Sequence, residues 1–112
     1  QLKVAYFIWK DPYMVAANHT FINAMLAVNN FENVYANVSR YPEIQLSELQ
    51  EKQPDLILLS SEPYPFKDRD IDEFKSICPY TQVKIVDGEA FSWYGSRLLK
   101  AFDYFKTLRN VI

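Results

Sequence analysis

Leu56, Ile57, Leu58 and Leu59 form an unbroken apolar run between the polar residues Asp55 and Ser60. A strand with one wet face alternates apolar and polar side chains. One that is apolar at every position must be covered on both faces, as a central parallel strand is between two helical layers. Lys3 to Trp9 repeats the pattern with Val4, Ala5, Tyr6, Phe7 and Ile8, and Lys10-Asp11-Pro12 stops it. Two such strands in a chain of 112 residues, a length that suits one domain, commit it to a layered α/β structure around a single core.

The remaining segments fall into place around these strands. From Asn18 as N-cap, the residues Phe21, Ile22, Met25 and Leu26 follow helical spacing until Asn29-Asn30. Asn33-Val34-Tyr35 reads as a short strand, followed by irregular chain from Ala36 to Pro42. A short helix is expected from about Leu46 to Gln53, with Ser47 and Gln50 spaced for a capping box and Pro54 ending it. Ile71, Phe74 and Ile77 mark a helix that stops before Pro79, and Gln82 to Val86 is the last strand. From about Ser96, the set Leu98, Ala101, Phe102, Phe105 and Leu108 gives an amphipathic helix to lie across the sheet. Alternating strands and helices predict a three-layer lobe of Rossmann type over residues 1–112, its mostly parallel sheet of about four strands flanked by helices.

Composition removes several classes of function. With a formal net charge of −2 and interspersed acids and bases, the chain has no basic footprint for nucleic acid and no polybasic run for anionic lipid. No apolar stretch reaches the roughly 20 residues that span a bilayer. One cysteine, Cys78, rules out an internal disulfide, and with the single histidine, His19, it leaves too few ligands for a transition-metal site. His19 is expected at the surface or as a cap. Asp68, Asp70, Asp72 and Glu73 read as a solvated face near a helix N-terminus. Gly88 and Gly95 stand alone and match neither a P-loop nor a dinucleotide fingerprint. Ser60 and Ser61 lack a nucleophile elbow, so neither catalytic residues nor a resident cofactor are expected. Gln1-Leu2-Lys3 runs directly into strand, and the expectation is an excised piece of a longer polypeptide.

In open α/β sheets, ligands lie beyond the carboxyl ends of the strands. The loops that meet this condition are Trp9 to Met14, Val38 to Glu43, Ser60 to Phe66 and Asp87 to Arg97. They hold Trp9, Tyr13, Tyr41, Tyr64, Phe66, Phe91, Trp93 and Tyr94, more rings than connection alone requires. Some of these rings are expected to plug the core. The others would form an aromatic floor that, with Asp11, Glu62, Glu89 and Arg97, suits a large flat organic ligand better than a small ion. Any metal would arrive already chelated.

Four segments carry a family resemblance: Trp9-Lys10-Asp11-Pro12-Tyr13 leading to Thr20-Phe21-Ile22, Tyr41-Pro42-Glu43-Ile44, Pro54 to Phe66, and Asp87 to Arg97. In order and spacing they resemble the C-terminal lobe of class III substrate-binding proteins of ABC importers, the cobalamin and ferric-siderophore receptor group. The resemblance implies a two-lobed receptor joined by a long helix, here without its N-terminal lobe. A chelate such as cobalamin, a ferric siderophore or haem would be held between the lobes and passed to a membrane permease. It also implies a periplasmic or other extracytoplasmic location, with anchoring to the membrane through the full-length protein.

Residue roles follow from the same resemblance. Cobalamin-binding relatives place an aromatic residue before the proline of the second segment, and Tyr41 matches it as the first ligand contact. Trp9, Tyr13 and Met14 at the first strand exit, and Glu89, Phe91 and Trp93 in the last loop, match other ligand-facing stretches; Glu62, Tyr64 and Arg97 complete the expected ligand set. Arg97 either pairs with a ligand carboxylate or anchors the last helix. Relatives dock on the permease through a carboxylate early in the short helix, where this chain has Ser47. Glu48 or Glu43 is the expected substitute, although one position along a helix turns a side chain by about 100°. Two other classes stay open on sequence: a small α/β enzyme or chelatase-like domain using the same crevice, and an interaction module that binds no small molecule.

Overall fold

The computed structural model describes residues 1–91 and 97–112, with the side chains of 97–102 outside the description. The strands are β1 (Leu2–Trp9), β2 (Met14–Val15), β3 (Phe31–Asn33), β4 (Leu56–Ser60) and β5 (Gln82–Val86). The helices are α1 (Phe21–Val28), α2 (Leu49–Lys52, preceded by a 3₁₀ turn at Leu46–Glu48), α3 (Asp68–Ile77) and α4 (Arg97–Val111). β1 and β4 run parallel in the register Val4 to Leu56 through Phe7 to Leu59, and β5 extends the sheet parallel to β4. On the other side of β1, β3 pairs parallel with its start and β2 antiparallel with its end. The sheet is five-stranded in the order β2-β1-β4-β5, with β3 beside β1.

Every residue of β4 is buried, as an all-apolar strand requires. Alternation along the strands sorts the side chains into two layers. Val4, Tyr6, Leu56 and Leu58 meet Ile22, Met25 and Leu26 of α1 and Phe105 and Leu108 of α4. Ala5, Phe7, Ile57 and Leu59 meet Leu49 of α2 and Phe74 of α3 on the opposite face. This is the three-layer α/β lobe that the two apolar strands demand.

The local corrections have physical causes. The N-cap of α1 is Thr20, whose Oγ1 accepts the Asn23 N–H at 3.0 Å, not Asn18. Asn18 instead accepts from the His19 N–H. Asn30 takes a left-handed φ of 61° behind the helix, so the Asn29-Asn30 stop forms as expected. β3 lies two residues earlier than Asn33-Val34-Tyr35, because Phe31 is needed in the core and the Asn33 amide bonds the Ala16 carbonyl at 2.9 Å. Before α2 the box is formed by Gln45 and Glu48, not by Ser47 and Gln50. Gln53, in a left-handed conformation, then closes the helix before Pro54.

Candidate functional site

Because β1, β4 and β5 are parallel, Trp9, Ser60 and Val86 end on one edge of the sheet. Three loops meet there. The Tyr64 N–H reaches the Ile8 carbonyl of β1 at 3.4 Å, which brings the loop after β4 against the β1 exit. As a result the rings of Trp9 and Tyr64 pack edge to face, 5.6 Å between centroids, and Tyr64 packs on Phe66 at 4.7 Å. Trp9 is 38% exposed and Tyr64 half-buried, while Phe66 is sunk in the core. The three rings form a wall anchored at one end and open at the other.

A second seam joins the loops after β4 and β5. The Gly88 N–H donates to Ser61 Oγ at 3.0 Å, and the Ser60 hydroxyl donates to the Glu62 carbonyl. A Cβ on Gly88 would lie 2.8 Å from that carbonyl oxygen and closer still to Ser60 Oγ, so only glycine admits this crossing. Asp87 gives its N–H to the Tyr104 hydroxyl of α4 at 2.9 Å. Burial pushes the Tyr104 phenol above its ordinary pKa, partly offset by that N–H. Both serine hydroxyls are thus held by backbone, and His19 bonds Ser39 at 3.1 Å instead of either serine. The described residues contain no nucleophile paired with a base at this edge.

The predicted residues divide into groups. Trp9, Tyr64 and the exposed Glu62 stand together at the carboxyl edge, and exposed Glu89 follows Gly88, its N–H bonded to the Asp87 carboxylate at 3.0 Å. Tyr13 is half-buried: its ring packs edge-on against Phe7 and Phe74, and its hydroxyl donates to Glu73. Met14, also half-buried, opens β2 and bridges to Glu43 on a strip that runs along the outer edge of the sheet. Tyr41 projects from that strip, 40% exposed, with no ring contact to Trp9 or Tyr64 among the described residues. Phe91 is a correction: it is fully buried, 5.0 Å from the Tyr6 ring and 4.7 Å from Phe105, and plugs the α1/α4 layer instead of facing the edge. Trp93 lies outside the described residues, as does the side chain of Arg97, the first residue of α4. Of the docking candidates, Glu43 is exposed, and Glu48 spends one carboxylate oxygen on the Gln45 N–H at 2.9 Å.

Sequence reading missed the polar bracket behind the wall. Asp70, expected on a solvated face, is 2% exposed. Its Oδ1 accepts the Lys10 ammonium at 3.0 Å and its Oδ2 the Lys67 N–H at 2.8 Å. Lys10 also reaches Glu73 at 3.4 Å. Burial, the largest influence on Asp70, pushes its carboxyl up, but the Lys67 N–H and the Lys10 ammonium outweigh it and leave the pKa below the ordinary value. The hydrogen bond to Asp70 raises Lys10 correspondingly. A lysine just past the first strand and an aspartate three residues into a helix were the available signals, but nothing in sequence spacing pairs positions so far apart.

No group of metal ligands converges among the described residues. No described helix is long and apolar enough to cross a membrane. A concavity of about 420 Å³ does open at the opposite, amino edge of the sheet, between Leu49, Gln53, Ile77 and Tyr80. What the carboxyl edge presents is an aromatic surface flanked by the exposed residues Glu62 and Glu89.

Neither family models nor curated proteins give a match to the chain. Solved structures do, among them periplasmic solute-binding proteins. A possible iron-binding (periplasmic solute-binding) protein from Staphylococcus epidermidis matches with a TM-score of 0.78 at 19% identity, over 98% of this chain and 44% of that one. The periplasmic heme-binding protein HutB of Vibrio cholerae matches at 0.73 and 18% identity, over 96% of this chain and 46% of its own. The vitamin B12 binding protein BtuF of Vibrio cholerae matches at 0.70 and 18%, over 96% and 45%. The chain therefore has the fold of one lobe of such a protein and spans less than half the length of each.

Proposed function

We propose that this chain is one lobe of the substrate-binding component of an ABC importer, which holds a metal chelate against its carboxyl edge. The observation that carries this reading is the open aromatic wall of Trp9 and Tyr64 at that edge, in a chain with the fold of one lobe of periplasmic binding proteins. Those proteins are named for iron, vitamin B12 and heme. A planar macrocycle or an aromatic-rimmed chelate gains from ring contact, and Glu62 and Glu89 supply polar ends. The metal belongs to the cargo, and the protein contributes neither resident cofactor nor catalysis.

On this reading the other face of the ligand meets a second lobe, the assembly works outside the cytoplasm, and a membrane permease receives the cargo. Glu43 is the better docking carboxylate, being exposed, since Glu48 is engaged by Gln45. The test is titration of the complete polypeptide that carries this lobe with haem, cobalamin and ferric hydroxamates, following tryptophan fluorescence. Saturable quenching by one chelate, weakened in Trp9→Ala and Tyr64→Ala, is the expected result. Flat titrations with every chelate would favour an interaction module instead.

A further inference from the structure

We infer that Asp70 is a positioning residue for the ligand face: one buried carboxylate clamps the two loops that carry the aromatic wall. The inference rests on the reading of the carboxyl edge given above. Its two oxygens serve different loops. Oδ1 holds Lys10, the residue next to Trp9, and Oδ2 caps α3 by accepting the N–H of its N-cap Lys67, which fixes the end of the loop that carries Phe66. Glu73, one turn further along α3, repeats the hold on the first loop by accepting from Lys10 and from the Tyr13 hydroxyl. The Tyr64 N–H to Ile8 carbonyl bond brings the rings of Trp9 and Tyr64 together, and the carboxylate adds a side-chain tie between the same two loops.

The design places the fixed charge in the rigid element. Phe74 of α3 is fully buried against Phe7 and Phe66, so the helix is seated by apolar packing that does not depend on Asp70. The carboxylate is therefore available to order the loops without being what holds α3 to the sheet. An uncompensated buried charge is costly, and here the carboxylate is satisfied at each oxygen by a separate donor. Two loops held at a common point give a wall with one geometry in advance of the ligand, which reduces the ordering cost of binding.

Amide hydrogen exchange on the chain without ligand tests the clamp independently of the functional reading. In Asp70→Asn, amides of residues 9–13 and 61–67 are expected to exchange at least about tenfold faster, while those of β4 keep their protection. In Lys10→Met the acceleration is confined to 9–13, because the Lys67 N–H keeps its acceptor. Unchanged loop exchange in both variants would overturn the inference. If Asp70→Asn speeds exchange throughout the chain, Lys10→Met decides: acceleration limited to 9–13 supports the clamp, and none refutes it. In the complete polypeptide, a chelate that binds should bind more weakly to Asp70→Asn, and Trp9→Ala should add little to that loss. Full additivity of the two would show that Asp70 does not act through the wall.

Discussion

Gly88 and Phe91 show how different demands are met a few residues apart in one loop. Gly88 sits where two strand exits cross, and a methyl group there would press into the Glu62 carbonyl and the Ser60 hydroxyl. Gly88→Ala is expected to lose about 1–3 kcal/mol in denaturant unfolding, the usual range for forced overpacking. Phe91 fills the core between Tyr6 and Phe105, so Phe91→Ala should cost about 3–5 kcal/mol, whereas the half-exposed Trp9→Ala should cost clearly less. The same measurement thus separates a core ring from a surface ring. Sequence could place both rings in edge loops but could not tell which way each faced. Burial of a loop aromatic depends on the partner that happens to lie beneath it. Asp70 was illegible for the same reason, because its meaning comes from Lys10, sixty residues away.

At the scale of elements, β1, β4, the parallel order and the later helices are readable because an unbroken apolar run in a strand and a helical spacing of apolar residues are each strong local signals. The elements that shifted are the short ones. β2 has two residues, β3 has three, and both are fixed by pairing with β1, not by local pattern. Capping likewise went to whichever side chain the turn geometry favoured. Thr20→Ala is expected to cost about 1 kcal/mol, with little effect from Asn18→Ala, when thermal unfolding of the two variants is compared. The bracket on α3 also sets a pH dependence. The folded pKa of Asp70 is depressed, so its contribution is complete above the unfolded value and is lost as pH falls through the folded one. The raised pKa of Lys10 keeps its charge through the neutral range and beyond. The stability gap between the parent chain and Asp70→Asn should therefore be flat from about pH 5 to 9 and close in strong acid, below the ordinary aspartate range.

For the whole molecule, Trp9 and Tyr64 form a partly exposed ring pair at the carboxyl edge, seated on the buried Phe66. On the proposed reading this chain supplies one side of a cleft, so the isolated chain should bind any chelate weakly or not at all; tight saturable binding by it alone would require a site complete within this chain. The central claim is that cargo meets the carboxyl edge. The most direct test is a map of chelate-dependent amide protection on the complete polypeptide. Protection concentrated at residues 9–14, 60–66 and 87–91 is the predicted result. Protection at the amino-edge concavity around Gln53 and Tyr80, with the carboxyl edge unchanged, would contradict it.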